Sequence, residues 1–498
     1  MNVNPITRLD YPDPDVIRVE DTYYMVSTTM HFMPGCEILQ SFDLVHWEHV
    51  TYVYETLDHT DAQQLKSGQN IYGQGMWAAS LRYHEGRFYI CFVANDTRKT
   101  YLYTSEKIDG PWKKQLIEGF YHDGSLLFDE DGRNYIVYGN DEIWITELNE
   151  DLTAPKKDGL HRLLVSDHKN PELGYEGSHI QKINGYYYIF LIHSLRDRWM
   201  RTEACFYSDS LEGEFTGGDV LCDDRGYCGQ GVAQGGIVDT PDGKWYAMLF
   251  QDSGAVGRIP ILLPVTWKDH FPFFGQNGHV PEEIEVHSTR PGYIYQPLVG
   301  SDDFCNGLLP RWQFNHDPDP QYYHLDALQG TYTITTREVC TELTQAVNTL
   351  TQRMSYPSCA AEVTVDASAL KEGDVAGLCA LQSCYAAVGI TKHHGKYEVL
   401  MLDKKEDGIL DMTEGTVVES HQMDFRLEAD FCNMKDEARC YYRVNKGDWL
   451  PIGTVHKLYF KLDHFTGCRF GLFCYAAEET GGSACFRDFK YYDVDEIS

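Results

Sequence analysis

The sequence predicts an all-β chain in two parts, a five-bladed β-propeller over residues 1–297 and a β-sandwich over residues 298–498. Three observations predict it. A hairpin motif recurs five times in the first three hundred residues, about 45 to 65 residues apart, a spacing of the kind propeller blades show. Beyond about residue 297 the motif stops and short alternating strands take over. Long amphipathic helical patterns are missing throughout.

The motif is an acidic residue or Asn, often a Gly, then aromatics leading into an apolar strand. It reads Glu20-Asp21-Thr22-Tyr23-Tyr24, Glu85-Gly86-Arg87-Phe88-Tyr89, Asp131-Gly132-Arg133-Asn134-Tyr135, Asn184-Gly185-Tyr186-Tyr187-Tyr188 and Asp242-Gly243-Lys244-Trp245-Tyr246. Asp-Gly and Asn-Gly between apolar runs are hairpin turns, since Gly accepts the positive φ they require. A second sub-repeat follows most copies, as in Ser41-Phe42-Asp43-Leu44-Val45-His46-Trp47 and Ser208-Asp209-Ser210-Leu211-Glu212-Gly213-Glu214-Phe215. It is expected as the turn before each blade's outer strand. Arg290-Pro291-Gly292 and Gly300-Ser301-Asp302-Asp303 read as the linker. After it, strands are expected at Thr331–Ile334, Ala361–Val365, Tyr397–Met401 and Tyr459–Leu462.

Composition narrows the function. The net charge of −33 disfavours nucleic acid, anionic membranes and polyuronides, and allows a neutral ligand. Thirty-four tyrosines suit both β-structure and stacking against the apolar faces of sugars. The 15 cysteines are scattered, without paired CxxC spacing, and read as small buried thiols. With no signal-like start at Met1-Asn2-Val3-Asn4-Pro5, they lead us to expect a cytoplasmic protein.

The repeat also predicts where chemistry sits. Counting back about eleven or twelve residues from each repeat tyrosine reaches Asp13, Trp77, Asp123, Glu176 and Gln234, each just before what should be the innermost strand. Three carboxylates and a tryptophan should therefore ring one end of the central channel. Converging carboxylates suit acetal hydrolysis, one protonating the departing oxygen and another activating water. They also suit Ca²⁺. The tryptophan favours a sugar.

Here the sequence resembles glycoside hydrolase family 43. Tyr11-Pro12-Asp13-Pro14, His122-Asp123-Gly124-Ser125-Leu126 and Glu176-Gly177-Ser178-His179-Ile180 look like that family's three signature stretches, joined by Gly75-Met76-Trp77-Ala78 and Gly257-Arg258. Asn348-Thr349-Leu350-Thr351-Gln352-Arg353 resembles the concanavalin-like C-terminal sandwich of its β-xylosidase and α-L-arabinofuranosidase members. The resemblance implies that Asp13 is the general base, Glu176 the general acid and Asp123 the acid's pKa partner. It implies inversion at the anomeric centre, with Trp77 and Arg258 lining the pocket. His31, Phe32 and Gln234 are further candidates for binding substrate. No cofactor is required for this chemistry, and a structural Ca²⁺ near Gln234 is the metal the family pattern suggests. Trp77-Ala78-Ala79, where the β-xylosidases usually have Trp-Ala-Pro, and the loop Met30-His31-Phe32-Met33 favour exo-acting release of α-L-arabinofuranosyl units from short arabinoxylan oligosaccharides. The alternatives are a β-xylosidase or a bifunctional enzyme, an endo-arabinanase, and a non-catalytic propeller lectin. A lectin would repeat one site on several blades, whereas this ring differs at every blade.

Overall fold

The computed structural model describes residues 2–413 and 415–493. Among them the helical turns are short 3-10 segments, and everything else is strand or loop. Five four-stranded antiparallel sheets form the propeller. Blade I comprises Asp15–Val19, Thr22–Val26, Gly35–Ser41 and Glu48–Tyr54, and blade II Met76–His84, Arg87–Ala94, Lys99–Ser105 and Lys113–Ile117. Blade III comprises Ser125–Phe128, Asn134–Asn140, Glu142–Leu148 and His161–Ser166. Blade IV comprises Glu176–Ile183, Tyr186–Ser194, Arg201–Ser208 and Thr216–Leu221, and blade V Val232–Asp239, Trp245–Asp252, Arg258–Lys268 and Phe271–Phe274. The first strand of each blade touches the first strands of its two neighbours, and blade V closes on blade I. The repeated motifs are the inner hairpin turns. Asn184 and Gly185, at φ 51° and 86°, show why this turn uses residues tolerant of the left-handed region. The sub-repeats lead into the outermost strands.

Arg82 of blade II occupies the axis and ties four blades together. It donates to Asp15 Oδ2 (2.8 Å) of blade I, to Ser125 Oγ (2.7 Å) and the Leu126 carbonyl (2.8 Å) of blade III, and to the Ile180 carbonyl (3.3 Å) of blade IV. His179 Nδ1 meets Asp15 Oδ1 at 3.1 Å. Burial works against the Asp15 charge, but Arg82 and His179 hold its carboxyl below the ordinary range.

The second part is a two-sheet sandwich with one large apolar core between Trp312 and Tyr491. One of its sheets does not stop at the propeller. Phe32–Met33, from the loop inside blade I, pairs with Gln313–Asn315 as its edge strand. The segment after blade V does not dangle as a linker. Arg290 pairs with Asp21 (2.9 Å), Tyr293 hydrogen-bonds Glu48, and the Gln296 N–H donates to Glu48 Oε2 (2.9 Å), strapping it along blade I. Strands occur at Thr331–Thr335, Ser358–Asp366 and Lys396–Lys404. Tyr459–Leu462 is a correction: the strand ends at Lys457, and 459–462 lies in a loop. The loop is held against the propeller by Gly467 N–H to Asp10 Oδ2 and Cys468 N–H to the Ala255 carbonyl, both 2.8 Å, so its aromatics turn towards the propeller instead of pairing in a sheet. The cysteines are free. Cys222, Cys228, Cys305 and Cys432 are exposed and Cys485 is half-buried, while the rest are buried as small thiols.

Three fully buried histidines sit where the two parts meet. His31 lies 4.8 Å from His316 and 5.0 Å from His464, ring centre to ring centre, and Tyr72 packs against all three. Neither ring nitrogen of His31 or His464 has a hydrogen-bond partner. Burial, reinforced by His316, His464 and Arg469, holds His31 well below the usual imidazole range; burial with His464 does the same to His316, and burial with Arg469 pushes His464 down to about 3. These groups bind protons more readily in the unfolded chain. Their contribution to stability is therefore complete above pH ~6.5 and is lost as pH falls below it, by about 2 kcal/mol for His464 at pH 5. The wild-type protein should lose more stability between pH 7 and 5 than His464→Phe does. Equal losses of unfolding free energy between the two pH values in the two proteins, read from denaturant titrations, would contradict this.

Candidate active site

Five residues spaced alike in the sequence converge on one end of the channel. In blades II, IV and V the inner strand carries a register irregularity at this level, between Trp77 and Ser80, Glu176 and His179, and Ala233 and Gly236. Such bulges re-aim side chains at sheet ends. In blades I and III the equivalent Asp13 (φ 52°) and Asp123 (φ 47°) stand just before the strand in left-handed backbone.

Asp13 is buried and held from both sides. Arg258 Nη1 donates to Oδ1 at 3.1 Å, and the Thr28 hydroxyl donates to Oδ2 at 2.5 Å. The same hydroxyl accepts from the Ala78 N–H at 2.8 Å, which fixes its direction. Asp123 Oδ2 accepts from the Gly177 N–H at 2.9 Å. Burial, with repulsion from Glu176 and Asp13, raises the Asp123 carboxyl to about 6, against the pull of His122. Glu176 opens the inner strand of blade IV and is more exposed than the other two carboxylates, and its Oε2 accepts from Asn140 Nδ2 at 2.8 Å. His122 Nε2 stands 3.4 Å from Asp123 Oδ2 and 3.5 Å from Glu176 Oε2. Burial opposes its charge, but the two carboxylates dominate and raise the imidazole to about 9.

The walls come from both halves of the chain. The Trp77 ring lies 6.2 Å from His122 and 5.3 Å from Phe465, which sits in the sandwich loop after Lys457. The Arg258 guanidinium lies 4.3 Å from the Phe465 ring centre. Gln234 reaches the axis beside Gly177, where an added Cβ would meet its side chain at 2.7 Å. Two candidates are elsewhere. Phe32 is fully buried beneath the Arg469 guanidinium at 3.4 Å and packs with the sandwich core, because its strand belongs to the sandwich sheet. His31 is fully buried in the histidine cluster, so neither forms a pocket wall.

Thr28, Asn140, His122, Asp10 and Phe465 escaped the sequence reading. His122 alone had a visible signal, its place beside Asp123. Phe465 was masked by the strand-like alternation just before it.

The axial cavity beneath the carboxylates is about 10 Å³ and is lined by Asp13, Asp15, Asp123, Ser178, His179 and Gln234 among others. That is room for about one water, and His179 is engaged by Asp15. Arg82, paired to Asp15, already places a cation on the axis. Ca²⁺ wants about six to eight oxygen ligands, and this donor set does not make such a cage. Among the described residues His122, Asp123 and Glu176 also form a cluster of metal-capable groups, and it coincides with two of the candidate carboxylates.

Residues 3–272 match the family model described as glycosyl hydrolases family 43, and residues 301–492 match the β-xylosidase C-terminal concanavalin A-like domain. A β-xylosidase of Formosa agariphila is 26% identical over 99% of this chain and 89% of its own. Among solved structures, a protein described as a bifunctional GH43-CE of Bacteroides eggerthii is 42% identical over 100% of this chain, with a TM-score of 0.93. This chain spans only 64% of that protein. A glycoside hydrolase whose active site was engineered to display both endo-xylanase and exo-arabinofuranosidase activity is 28% identical, with a TM-score of 0.86 and 99% of each chain covered.

The grip on Asp13 is testable. Thr28→Val removes the hydroxyl that both orients the carboxylate and is itself oriented by Ala78. It should cost about 10- to 100-fold in kcat, and Thr28→Ser should recover most of it. Equal kcat for the Thr28→Val variant and the wild-type enzyme would show that Arg258 alone positions the group.

Proposed function

The chain belongs to glycosyl hydrolase family 43, and we propose that it releases terminal pentosyl units, with inversion, from short xylan-derived oligosaccharides. It is a glycoside hydrolase, and a carbohydrate is its substrate. In the proposed reaction Glu176 gives its proton to the departing glycosidic oxygen as that bond breaks. Asp13 takes a proton from the water that bonds to the anomeric carbon on the opposite face. One glycoside and one water thus become a free sugar and an alcohol, and the balance closes with no oxidant or reductant. Asp123 accepts the Gly177 N–H next to Glu176 and so supports the acid's orientation.

One observation carries the exo-acting part: Phe465 of the sandwich loop packs between Trp77 and Arg258 at the pocket wall. A wall supplied by a second lobe closes one side of the channel mouth, which supports cleavage at chain ends and opposes an open endo-acting groove. The choice of sugar follows the walls as well. Met30, His31, Phe32 and Met33 are all buried, so the loop that favoured arabinofuranose cannot discriminate between pentoses. One similar protein is named a β-xylosidase, and another, of Butyrivibrio fibrisolvens, is named a xylosidase/arabinosidase. We therefore propose that both terminal β-D-xylosyl and α-L-arabinofuranosyl units are accepted.

Glu176→Ala and Asp13→Ala should each lose several orders of magnitude in turnover. An aryl glycoside with a good leaving group should rescue the Glu176 variant alone, since little protonation is then needed. Equal rescue of both would reverse or void the assignment. On 4-nitrophenyl β-D-xylopyranoside and α-L-arabinofuranoside, kcat/KM should agree within about tenfold, and proton NMR should show the inverted anomer first. A ratio beyond about a hundredfold would reduce the proposal to one sugar.

A further inference from the structure

Trp199 is a large aromatic ring left in solvent, 43% exposed. It lies on the turn 195–200 between the second and third strands of blade IV. That turn is built to hold still. Leu195 N–H donates to the Met200 carbonyl (3.1 Å), and Met200 N–H donates to Ser194 Oγ (2.7 Å). Arg196 donates to the carbonyls of Asp167 (2.5 Å) and His168 (3.3 Å) on the neighbouring blade III–IV connection. The Arg201 guanidinium lies 5.4 Å from the Trp199 ring centre and 5.1 Å from that of Phe250, whose ring is also 5.4 Å from Arg258. An ion pair to Asp252 (3.1 Å) anchors Arg201.

The position of this ring relative to the acid gives it meaning. Glu176 pairs with Ile192, and Ile192 with Glu203, so the turn carrying Trp199 lies at the acid's end of the same blade. Strand spacing and rise put the ring about 10–15 Å from the carboxyl. In inversion the acid and base flank the anomeric carbon, and the leaving group departs on the acid's side. The sandwich's hydrogen bonds and ring contacts to the propeller fall on blades I and V, on the loop before blade II, on Trp77, and at Tyr227–Tyr356 before blade V. None of these contacts falls on the turn 195–200.

We propose that Trp199 is the platform of a distal leaving-group subsite, stacking on a neutral pyranose one unit beyond the sugar that Glu176 protonates. This rests on the proposed exo-acting reading. The indole offers its face to the axial C–H groups of a xylose-like ring, and Arg201 backs it from below. Neutral sugars are the fitting ligand, because the chain's net charge of −33 repels uronates.

The test uses xylotriose and the full-length protein. Wild-type kcat/KM should rise from xylobiose to xylotriose. Trp199→Ala should lose about tenfold more on xylotriose than on the 4-nitrophenyl glycoside, and Trp199→Phe should regain most of that difference. By calorimetry, xylotriose should bind Glu176→Gln about tenfold more tightly than the Glu176→Gln, Trp199→Ala double variant. Equal losses on both substrates, or equal affinities in the binding pair, would overturn the subsite. A wild-type enzyme that hydrolyses no pentoside would overturn the functional reading instead, and the binding pair would still decide the subsite.

Discussion

The two lobes are tied together at one buried side chain, Asp10, close in the chain to Asp13. Its Oδ1 accepts the Arg258 N–H and its Oδ2 accepts the Gly467 N–H, both at 2.8 Å. One carboxylate thereby ties blade V to the sandwich loop three residues before Asp13. Glycine is needed on both sides: a Cβ at Gly257 would meet Asp10 at 2.3 Å, and one at Gly467 would meet it at 2.7 Å. Arg353 adds a second tie, donating to the Asp10 carbonyl (3.0 Å) and to Glu37 (2.8 Å). Burial opposes the Glu37 charge, but Arg353 and His49 hold it down at about 2. Arg258 can grip Asp13 with one end and face Phe465 with its plane because its backbone is pinned here. The fixed geometry of the pocket is thus the work of interactions that touch no substrate.

How much of this was legible depended on periodicity. The offset from each repeat tyrosine reached Asp13, Trp77, Asp123, Glu176 and Gln234 because every inner hairpin repeats the same path, and a fixed path puts equal offsets at equal heights. Residues that act once per molecule leave no such trace. Thr28 is an ordinary polar residue in a loop and Asn140 one at a strand end, chosen by distances that only closure of the ring creates. Asp10 and Phe465 are separated by most of the chain, and no local pattern joins them. His31 and Phe32 misled for the opposite reason. They sit in a propeller loop by sequence, but backbone pairing hands that loop to the other lobe.

Charge along the axis follows from the same crowding. Asp13 and Asp15 come from blade I, Asp123 from blade III and Glu176 from blade IV, and acids this close need nearby cations. Arg258 serves Asp13, Arg82 serves Asp15, and His122 serves Asp123 and Glu176. The cations differ in kind. Arginine cannot give up its proton near neutral pH, which suits permanent neutralisation, whereas a histidine among working acids can change charge with them.

The shared edge strand at Phe32–Met33 bears on how such a protein can change over evolutionary time. Its two residues belong to one lobe by chain order and to the other by hydrogen bonding. A lobe exchanged for that of a distant relative would arrive without its complementary edge and would leave three buried imidazoles facing water. Recombination at this joint would be penalised, so the two halves should be inherited together and drift as a pair. Novelty is then confined to the rim loops, where a side chain can be replaced without disturbing the seam.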